Sequence, residues 1–434
     1  MDLKHCKMIV VWGACLLLAS VGIFLMWPQC VVERTSGALR QDVYVWQRSW
    51  NEHVVKAVKD TGEFDVCCVL AAEVSWDGSR PKVVRVQVDY AALKAGGKRV
   101  GIGLRIGPYD GGLQDYEKSA DFVSGLARSL VDEALAAGVK PFELQIDFDC
   151  AESKLDGYRR WVDSVVQRVA DVDVVITVLP CWLPHKEFAD LAAGAAGYVL
   201  QVHSLERPES YDSEMVLCEV TNARKWVEIA AEIGVGFRVA LPTYGYMAAF
   251  DREGRFLGLS AEGFSASWPG EVGLRRVSSN PAEIAKLVAG WREDRPVNME
   301  GLIWYRLPVE GDRLNWKAVT LAAVMRGQKP IERVTVEVEF PEPQLAELLL
   351  VNSGEADSLA DVVIEVSFDG AKVIASDGLR GFVFEDWEDG LRLEYRGRRV
   401  TDVLRAGESW NIGWIRFDSK AEVKADVVTS VAEH

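Results

Sequence analysis

The sequence is poor in histidine, has no C-x-x-C pair, and lacks any surplus of positive charge. Its only five histidines are His5, His53, His185, His203 and His434, and none stand at metal-ligand spacings. A zinc site is therefore not expected, and no other cofactor is indicated. Of eight cysteines, Cys6 and Cys15 fall near the N-terminus and Cys30 soon after them. Cys67, Cys68, Cys150, Cys181 and Cys218 follow. Five is an odd number, so an exported domain keeps at least one unpaired thiol. Most of these cysteines read as small buried hydrophobes. The 49 Lys and Arg against 65 Asp and Glu give a formal net charge of −16. That balance argues against nucleic acid or anionic lipid surfaces as partners, and leaves neutral or cationic polymers open. There is no low-complexity tract and no internal repeat beyond an alternation of strand and helix patterns.

The 434 residues, 49% hydrophobic and 26% charged, describe a globular chain long enough for two domains. Met8 to Met26 is uncharged, Lys4 and Lys7 precede it, and the next charge is Glu33. About 20 apolar residues span a bilayer, whereas a signal-peptide core is about 7–15 long. Residues 1–32 are therefore expected to be an uncleaved signal anchor, with the globular part held at the membrane outside the cytoplasm. Trp27-Pro28-Gln29 before Cys30 is too bulky for a lipoprotein cleavage site.

Eight strands are predicted at Val43–Gln47, Phe64–Val74, Val100–Ile106, Phe142–Asp149, Val174–Leu179, Gly197–Leu205, Phe237–Leu241 and Leu302–Leu307. Amphipathic helical stretches lie between most of them, as at Ala120–Ala137, Gly157–Val169 and Ala223–Ile233. Gly138 and Gly234 mark helix ends. Pro81–Tyr90 has the pattern of an extra hairpin strand, and Asp251 to Pro281 reads as an insertion. Strand–helix alternation of this length implies a (β/α)8 TIM barrel over residues 40–328. Past Lys329 the pattern becomes period two, with turn signals such as Asn352-Ser353-Gly354, Asp369-Gly370, Asp377-Gly378 and Asp389-Gly390. Residues 330–428 are expected to be a small all-β, sandwich-like accessory domain.

The sharpest local signal is Leu144-Gln145-Ile146-Asp147-Phe148-Asp149. Alternation puts Gln145, Asp147 and Asp149 on the inner face of strand four. The two carboxylates stand roughly 6.5–7 Å apart along the strand. Each then feels the other, which raises the pKa of at least one and suits acid–base work. A purely structural alternative has Asp147 capping a loop or paired with Arg105. The same alternation places Cys67, Val69, Ala71 and Glu73 on one side of strand two, with Glu73 uppermost. On strand three, Gly101 and Gly103 leave room for Arg105. Gln201 and His203 share a side on strand six, Tyr44 and Trp46 on strand one, and Trp304 and Arg306 on strand eight. Trp46, Trp182 and Trp304 at strand ends supply flat faces for sugar rings, among fifteen Trp in the chain.

Gln145-Ile146-Asp147-Phe148-Asp149 resembles the D-x-D core of family-18 chitinase-like glycoside hydrolases. Leu241-Pro242-Thr243-Tyr244-Gly245-Tyr246 is similar to their strand-seven L-P-x-Y-G segment, and Gly301-Leu302-Ile303-Trp304 to their strand-eight segment with its subsite Trp. The chain resembles more closely an uncharacterised bacterial family of glycosidase-like TIM barrels. The mark of that family is a Q-[IL]-D-[FY]-D strand, a Tyr on the next helix (Tyr158) and a T-x-L-x-x-W-L segment (Thr177–Leu183). The resemblance covers roughly residues 40–330 and implies a TIM barrel and a glycosidase-like site. One departure stands out. The family-18 motif ends D-x-D-x-E with the Glu as general acid. Here that position is Ala151, followed by Glu152, and the first Asp of the longer motif is replaced by Leu144.

These readings lead to a cell-envelope glycoside hydrolase acting on a polysaccharide or glycan. Asp149 is expected as general acid or nucleophile, Asp147 tunes it, and Glu73 or Glu152 supplies the second carboxylate. Arg105, Gln201, His203 and Tyr244 are expected to bind hydroxyls, with Trp46, Trp182 and Trp304 as aromatic platforms. The alternative, motivated by Ala151, is a non-catalytic glycan-binding or scaffold protein on a degenerate barrel.

Overall fold

A computed structural model describes residues 32–428 apart from 79, 263–267, 269–271, 360–361, 389 and 398–402. The expected anchor at residues 1–32 lies almost wholly outside the described residues, as does Asp389 of one expected turn. Among the described residues no helix is long and apolar enough to cross a membrane.

Eight parallel strands form the first unit: β1 Arg40–Val45, β2 Val66–Asp77, β3 Arg99–Ile106, β4 Pro141–Phe148, β5 Asp173–Val178, β6 Gly197–Gln201, β7 Phe237–Pro242 and β8 Met299–Tyr305. Each pairs with its neighbours in chain order, β8 pairs with β1, and β1 pairs with β2, so the sheet closes into a ring. A helix follows every strand: α1 Glu52–Lys59, α2 Tyr90–Gly96, α3 Leu113–Ala136, α4 Leu155–Arg168, α5 Lys186–Ala193, α6 Val220–Ala231, α7 Pro281–Glu293 and α8 Ala318–Met325. This is the expected (β/α)8 barrel. Its helix ends use the expected glycines. Gly138 has φ +76° and Gly234 φ +79°, the left-handed geometry that a side chain disfavours. The expected hairpin strand is present at Arg80–Arg85, antiparallel to β2. The insertion after β7 is a three-stranded antiparallel sheet of Gly245–Phe250, Phe256–Ser260 and Gly273–Ser278.

Two sets of side chains fill the barrel. The larger apolar core lies between strands and helices, where Ile146, Phe148, Trp161, Ile176 and Trp304 are buried. The interior holds a smaller cluster that includes Tyr44, Trp46, Cys68, Leu70, Val175, Val199, Ala240 and Ile303. Below it lies a charged layer that strand alternation alone does not reveal. Arg238 donates to Asp42 Oδ2 at 2.6 Å and to both Glu143 oxygens at 2.9 and 2.8 Å. Arg40 Nη2 approaches Asp42 at 2.8 Å. Gln145 donates to Glu143 at 2.6 Å, and Tyr44 OH donates to Gln145 at 2.7 Å. Asp42, Glu143 and Arg238 are all buried, so each charge depends on the others for its solvation.

Gly101 and Gly103 make room for neighbours other than Arg105. A Cβ at Gly103 would stand 2.8 Å from the Trp46 ring, and one at Gly101 would meet Glu143 at 3.2 Å and Cys68 at 3.3 Å. The expected face of β2 is also corrected. Cys67, Val69 and Ala71 lie in the outer core, while Cys68 and Leu70 point inward. A register shift between Leu70 and Ala72 then reverses the alternation, and Glu73 pairs with Arg105 of β3.

From Val334 the chain forms β9 Val334–Glu342, β10 Leu345–Asn352, β11 Val363–Asp369, β12 Val373–Gly378, β13 Phe382–Trp387, β14 Gly390–Tyr395, β15 Ser409–Phe417 and β16 Glu422–Val428. They make two four-stranded antiparallel sheets, ordered β9-β10-β15-β12 and β13-β14-β11-β16. Ala346, Leu348, Leu350, Ile412 and Ile415 of one sheet share a core with Ile364, Val366 and Leu393 of the other. The turn expected at Asp377-Gly378 lies slightly later, where Arg380 and Gly381 have φ of +56° and +93°. Arg405 links the two units. It is buried and donates to the carbonyls of Asp312 and Asn315 in the loop after β8.

Replacing Arg238 with Met leaves the buried Glu143 without its counter-ion and Asp42 with Arg40 alone. The expected loss is about 3–5 kcal/mol of unfolding free energy, measured by urea denaturation. A loss below about 1 kcal/mol would mean that the layer is not a structural requirement.

Candidate active site

The register carries the site. Across β2, β3 and β4, Glu73 pairs with Arg105 and Arg105 with Asp147, so three charged residues form one row near the strand ends. Paired residues of parallel strands face the same side of the sheet, here the inside of the ring. Asp147 is almost fully buried. Arg105 Nη1 lies 3.4 Å from its Oδ2, and Thr177 of β5 donates to its Oδ1 at 2.9 Å. Burial pushes the Asp147 carboxyl up to about 6, against the pull of Arg105 and Thr177, with Asp149 and Glu73 adding to the rise. Asp149, just past β4, is exposed. Gln201 Nε2 donates to it at 3.3 Å.

One open cavity of about 640 Å³, part of it continuous with solvent, is lined by Tyr44, Trp46, Arg105, Asp147, Asp149, Thr177, Gln201, His203, Ala240, Tyr244, Tyr246 and Tyr305. Seven of the expected site residues therefore meet here: Asp147, Asp149, Arg105, Gln201, His203, Tyr244 and Trp46. His203 Nδ1 lies 3.2 Å from Tyr244 OH, and its ring stacks on Tyr305 at 5.8 Å. Burial lowers the His203 imidazole to about 4, so it is neutral at physiological pH. Burial likewise raises the phenols of Tyr44, Tyr244 and Tyr246, which stay uncharged. Glu73 borders the site, held by Arg48 through two hydrogen bonds of 2.6 and 2.8 Å.

Three expected residues are elsewhere. Trp304 is fully buried on the helix side of β8, where its indole donates to Gln41 at 2.7 Å. Strand alternation thereby turns Tyr305 inward in its place. Arg306, expected beside Trp304, is paired with Asp312 at 2.8 Å. Trp182 is also fully buried, donating to the Cys150 carbonyl at 3.2 Å, because the short helix Pro180–Trp182 folds it back over the barrel wall. Neither tryptophan presents a face to a ligand. Glu152 starts the short helix Glu152–Lys154 and pairs with His185 at 3.1 Å in a separate shallow pocket. Tyr305 joins the site without a signal in the sequence, and with it come Thr177 and Tyr246, which stand in the motif segments Thr177–Leu183 and Leu241–Tyr246. On β8, Ile303 and Tyr305 are as apolar as Leu302 and Trp304, so alternation alone has nothing to choose by. Among the described residues no group of His, Cys, Asp and Glu is arranged to hold a metal ion.

The fold and site together define a closed eightfold α/β barrel with an acidic, aromatic mouth at the carboxyl ends of its strands. Residues 107–310 match a family model described as "Domain of unknown function (DUF3142)", and residues 336–418 match "Domain of unknown function (DUF8456)". No curated protein matches the chain in sequence. Among solved structures the chain is similar to a chitinase from Chromobacterium violaceum, at 14% identity and TM-score 0.47, covering 67% of this chain and 99% of that one. It is also similar to the spore cortex-lytic enzyme SleL of Bacillus cereus, at 10% identity and TM-score 0.49, covering 68% and 75%. A GH18 chitinase from Flavobacterium johnsoniae is similar at 12% identity and TM-score 0.43, covering 63% and 89%.

The titrations of Asp147 and His203 oppose each other. Asp147 stabilises the fold below its ordinary value of 3.8 and loses that contribution as pH rises through about 6. His203 contributes above its ordinary 6.5, and the contribution is lost as pH falls through about 4. As pH falls from 6.5 to about 4, His203→Gln should therefore lose less stability than wild type, and Asp147→Asn more. Each difference should be on the order of 2 kcal/mol, read from urea midpoints across pH. Parallel pH curves for all three proteins would refute both assignments.

Proposed function

We propose that the protein is a glycoside hydrolase of the cell envelope, cleaving a polysaccharide or glycan at the barrel mouth. The observation that carries this reading is the pair Asp147 and Asp149 in one open cavity. One is buried and held near 6, and the other is exposed beside an amide. Such unequal environments separate the roles of two carboxylates. Asp147, which keeps its proton up to about pH 6, is the group that gives a proton to a leaving oxygen. Asp149, the exposed carboxylate beside the Gln201 amide, is the nucleophile that faces the positive charge developing on the sugar ring. Arg105, Gln201, His203 and Tyr244 bind hydroxyls, and Trp46 offers an aromatic face, joined by Tyr305 and Tyr246. Glu73, tied to Arg48, orients Arg105 from the far end of the row. Glu152 has no part in this scheme, since it faces His185. The motif resemblance to glycosidase-like barrels supports the same reading. The apolar stretch Met8 to Met26 behind Lys4 and Lys7 supports an anchored, extracytoplasmic location, and the two-sheet unit acts as an accessory β-sandwich-like module.

A second reading is favoured by one observation. Ala151 stands where the resembled motif carries its acid, so a glycan-binding protein without turnover is the alternative. The test is a panel of envelope and plant glycans, reading binding and new reducing ends in parallel on the fragment from about residue 35. The hydrolase reading expects turnover that falls at least about 100-fold in Asp149→Asn with the fold retained. It also expects kcat/KM to fall as pH rises through about 6, and that limb to disappear in Asp147→Asn. Binding without reducing ends in the wild type would establish the second reading. Full turnover by Asp149→Asn would remove the assigned nucleophile.

A further inference from the structure

The charge at the mouth is one-sided once each ionisable group is followed to its partner. Asp147 is matched by Arg105 and Glu73 by Arg48. His203 is neutral, and the phenols of Tyr244, Tyr246 and Tyr305 stay protonated. Asp149 is an exposed carboxylate that accepts from the Gln201 amide, and the Arg105 guanidinium that it also feels is already matched to Asp147. The faces of Tyr246, Tyr305 and Trp46 share its cavity.

Two further hollows flank the cavity on the same face of the barrel. The loop after β6 lines one with Glu206, Glu214 and Glu219, together with Trp226 and Met215. The loops after β4 and β5 line the other with Glu152, Asp156, Glu187 and His185. Val202 and Ser204 of the first hollow bracket His203, and Glu152 of the second lies soon after Asp149 in the chain. Neither hollow has a Lys or Arg among its lining residues. Of the cations next to them in sequence, Lys154 donates to the Tyr109 carbonyl, Arg207 lies over the Phe256 ring, and Lys186 and Lys225 stand outside the lining of both hollows. Trp46 is 7% exposed and lines the same cavity.

We propose that the saccharide taken at this mouth is an amino-sugar polymer bearing free ammonium groups, such as a de-N-acetylated polyglucosamine; this rests on the saccharide reading above. An ammonium group beside Asp149 and aromatic faces gains both a charged hydrogen bond and a cation–π contact. An acetamido sugar at the same place is neutral and gains neither. The acidic hollows extend the same preference to the sugars on either side, and the field of a chain at net −16 draws a polycation toward the face.

The experiment is calorimetric titration of the fragment from about residue 35 with glucosamine and N-acetylglucosamine oligomers, as tetramers and hexamers, at low and high salt. The expected result is at least about tenfold tighter binding of the glucosamine oligomers at low salt, shrinking as salt screens the charges. Asp149→Asn should bring the two tetramers within about twofold of each other. Glu214→Gln should weaken the glucosamine hexamer several-fold and leave the N-acetylated hexamer unchanged. Equal or tighter binding of the acetylated oligomers overturns the inference and leaves the saccharide reading standing. No binding of either oligomer, nor of any glycan in the panel, removes both.

Discussion

The ion triad of Arg238, Asp42 and Glu143 is the constraint on which the rest of the barrel depends. Three strands supply these groups, on opposite sides of the ring, and their removal from water is tolerable only while all three are present. The triad holds β1, β4 and β7 at fixed spacing and occupies the lower interior. Gln145 and Tyr44 extend the network upward by hydrogen bonds. With the floor lined by charge and the middle filled by Leu70, Val175, Val199 and Ile303, the candidate site opens at the top. The cavity is what the packed layers leave over.

That arrangement explains why Asp147 and Asp149 differ although they are next-but-one neighbours in the chain. Asp147 stands near the end of β4 inside the ring, where desolvation outweighs the help of Arg105 and Thr177. Asp149 is beyond the strand, where solvent reaches it. The same layer geometry seats the Trp46 indole on Gly103, where a Cβ would stand 2.8 Å from its ring. Aromatic character at the mouth thus comes from Trp46 and a ring of tyrosines rather than from three tryptophans. Tyrosines add hydroxyls to the flat faces, which suits a polar ring ligand. The second unit is tied into this region too. Arg405 holds the carbonyls of Asp312 and Asn315, Asp312 holds Arg306, and Arg306 follows Tyr305 of the cavity wall.

The barrel itself is legible because its signals are local and repeated. Eight apolar runs, amphipathic stretches between them, and glycines such as Gly138 at helix ends each report a short-range preference, and their order dictates parallel pairing. Asp147, Asp149, Arg105, Gln201, His203 and Trp46 emerge for the same reason, since alternation along one strand is a property of that strand, while Tyr244 emerges from its likeness to an L-P-x-Y-G segment. In the second unit, β10 and β12 carry no such signal. Leu348-Leu349-Leu350 of β10 has no alternation to read, and β12 is an edge strand whose polar residues face solvent, whereas β16 alternates from Glu422 to Val427 with Val423, Ala425 and Val427 on the core.

The chain's own residues determined the succession of strands and helices, the acidic balance, and the presence of two carboxylates on one face of β4. Only the tertiary structure decided which side of β2 and of β8 faces inward at the mouth. A bulge at Ala71 reversed β2 and brought Glu73 to Arg105, and the helix layer claimed Trp182 and Trp304. The reason is physical. Alternation specifies that neighbours along a strand point to opposite sides, but which side is the inside depends on the volumes and charges of all the other strands in the ring.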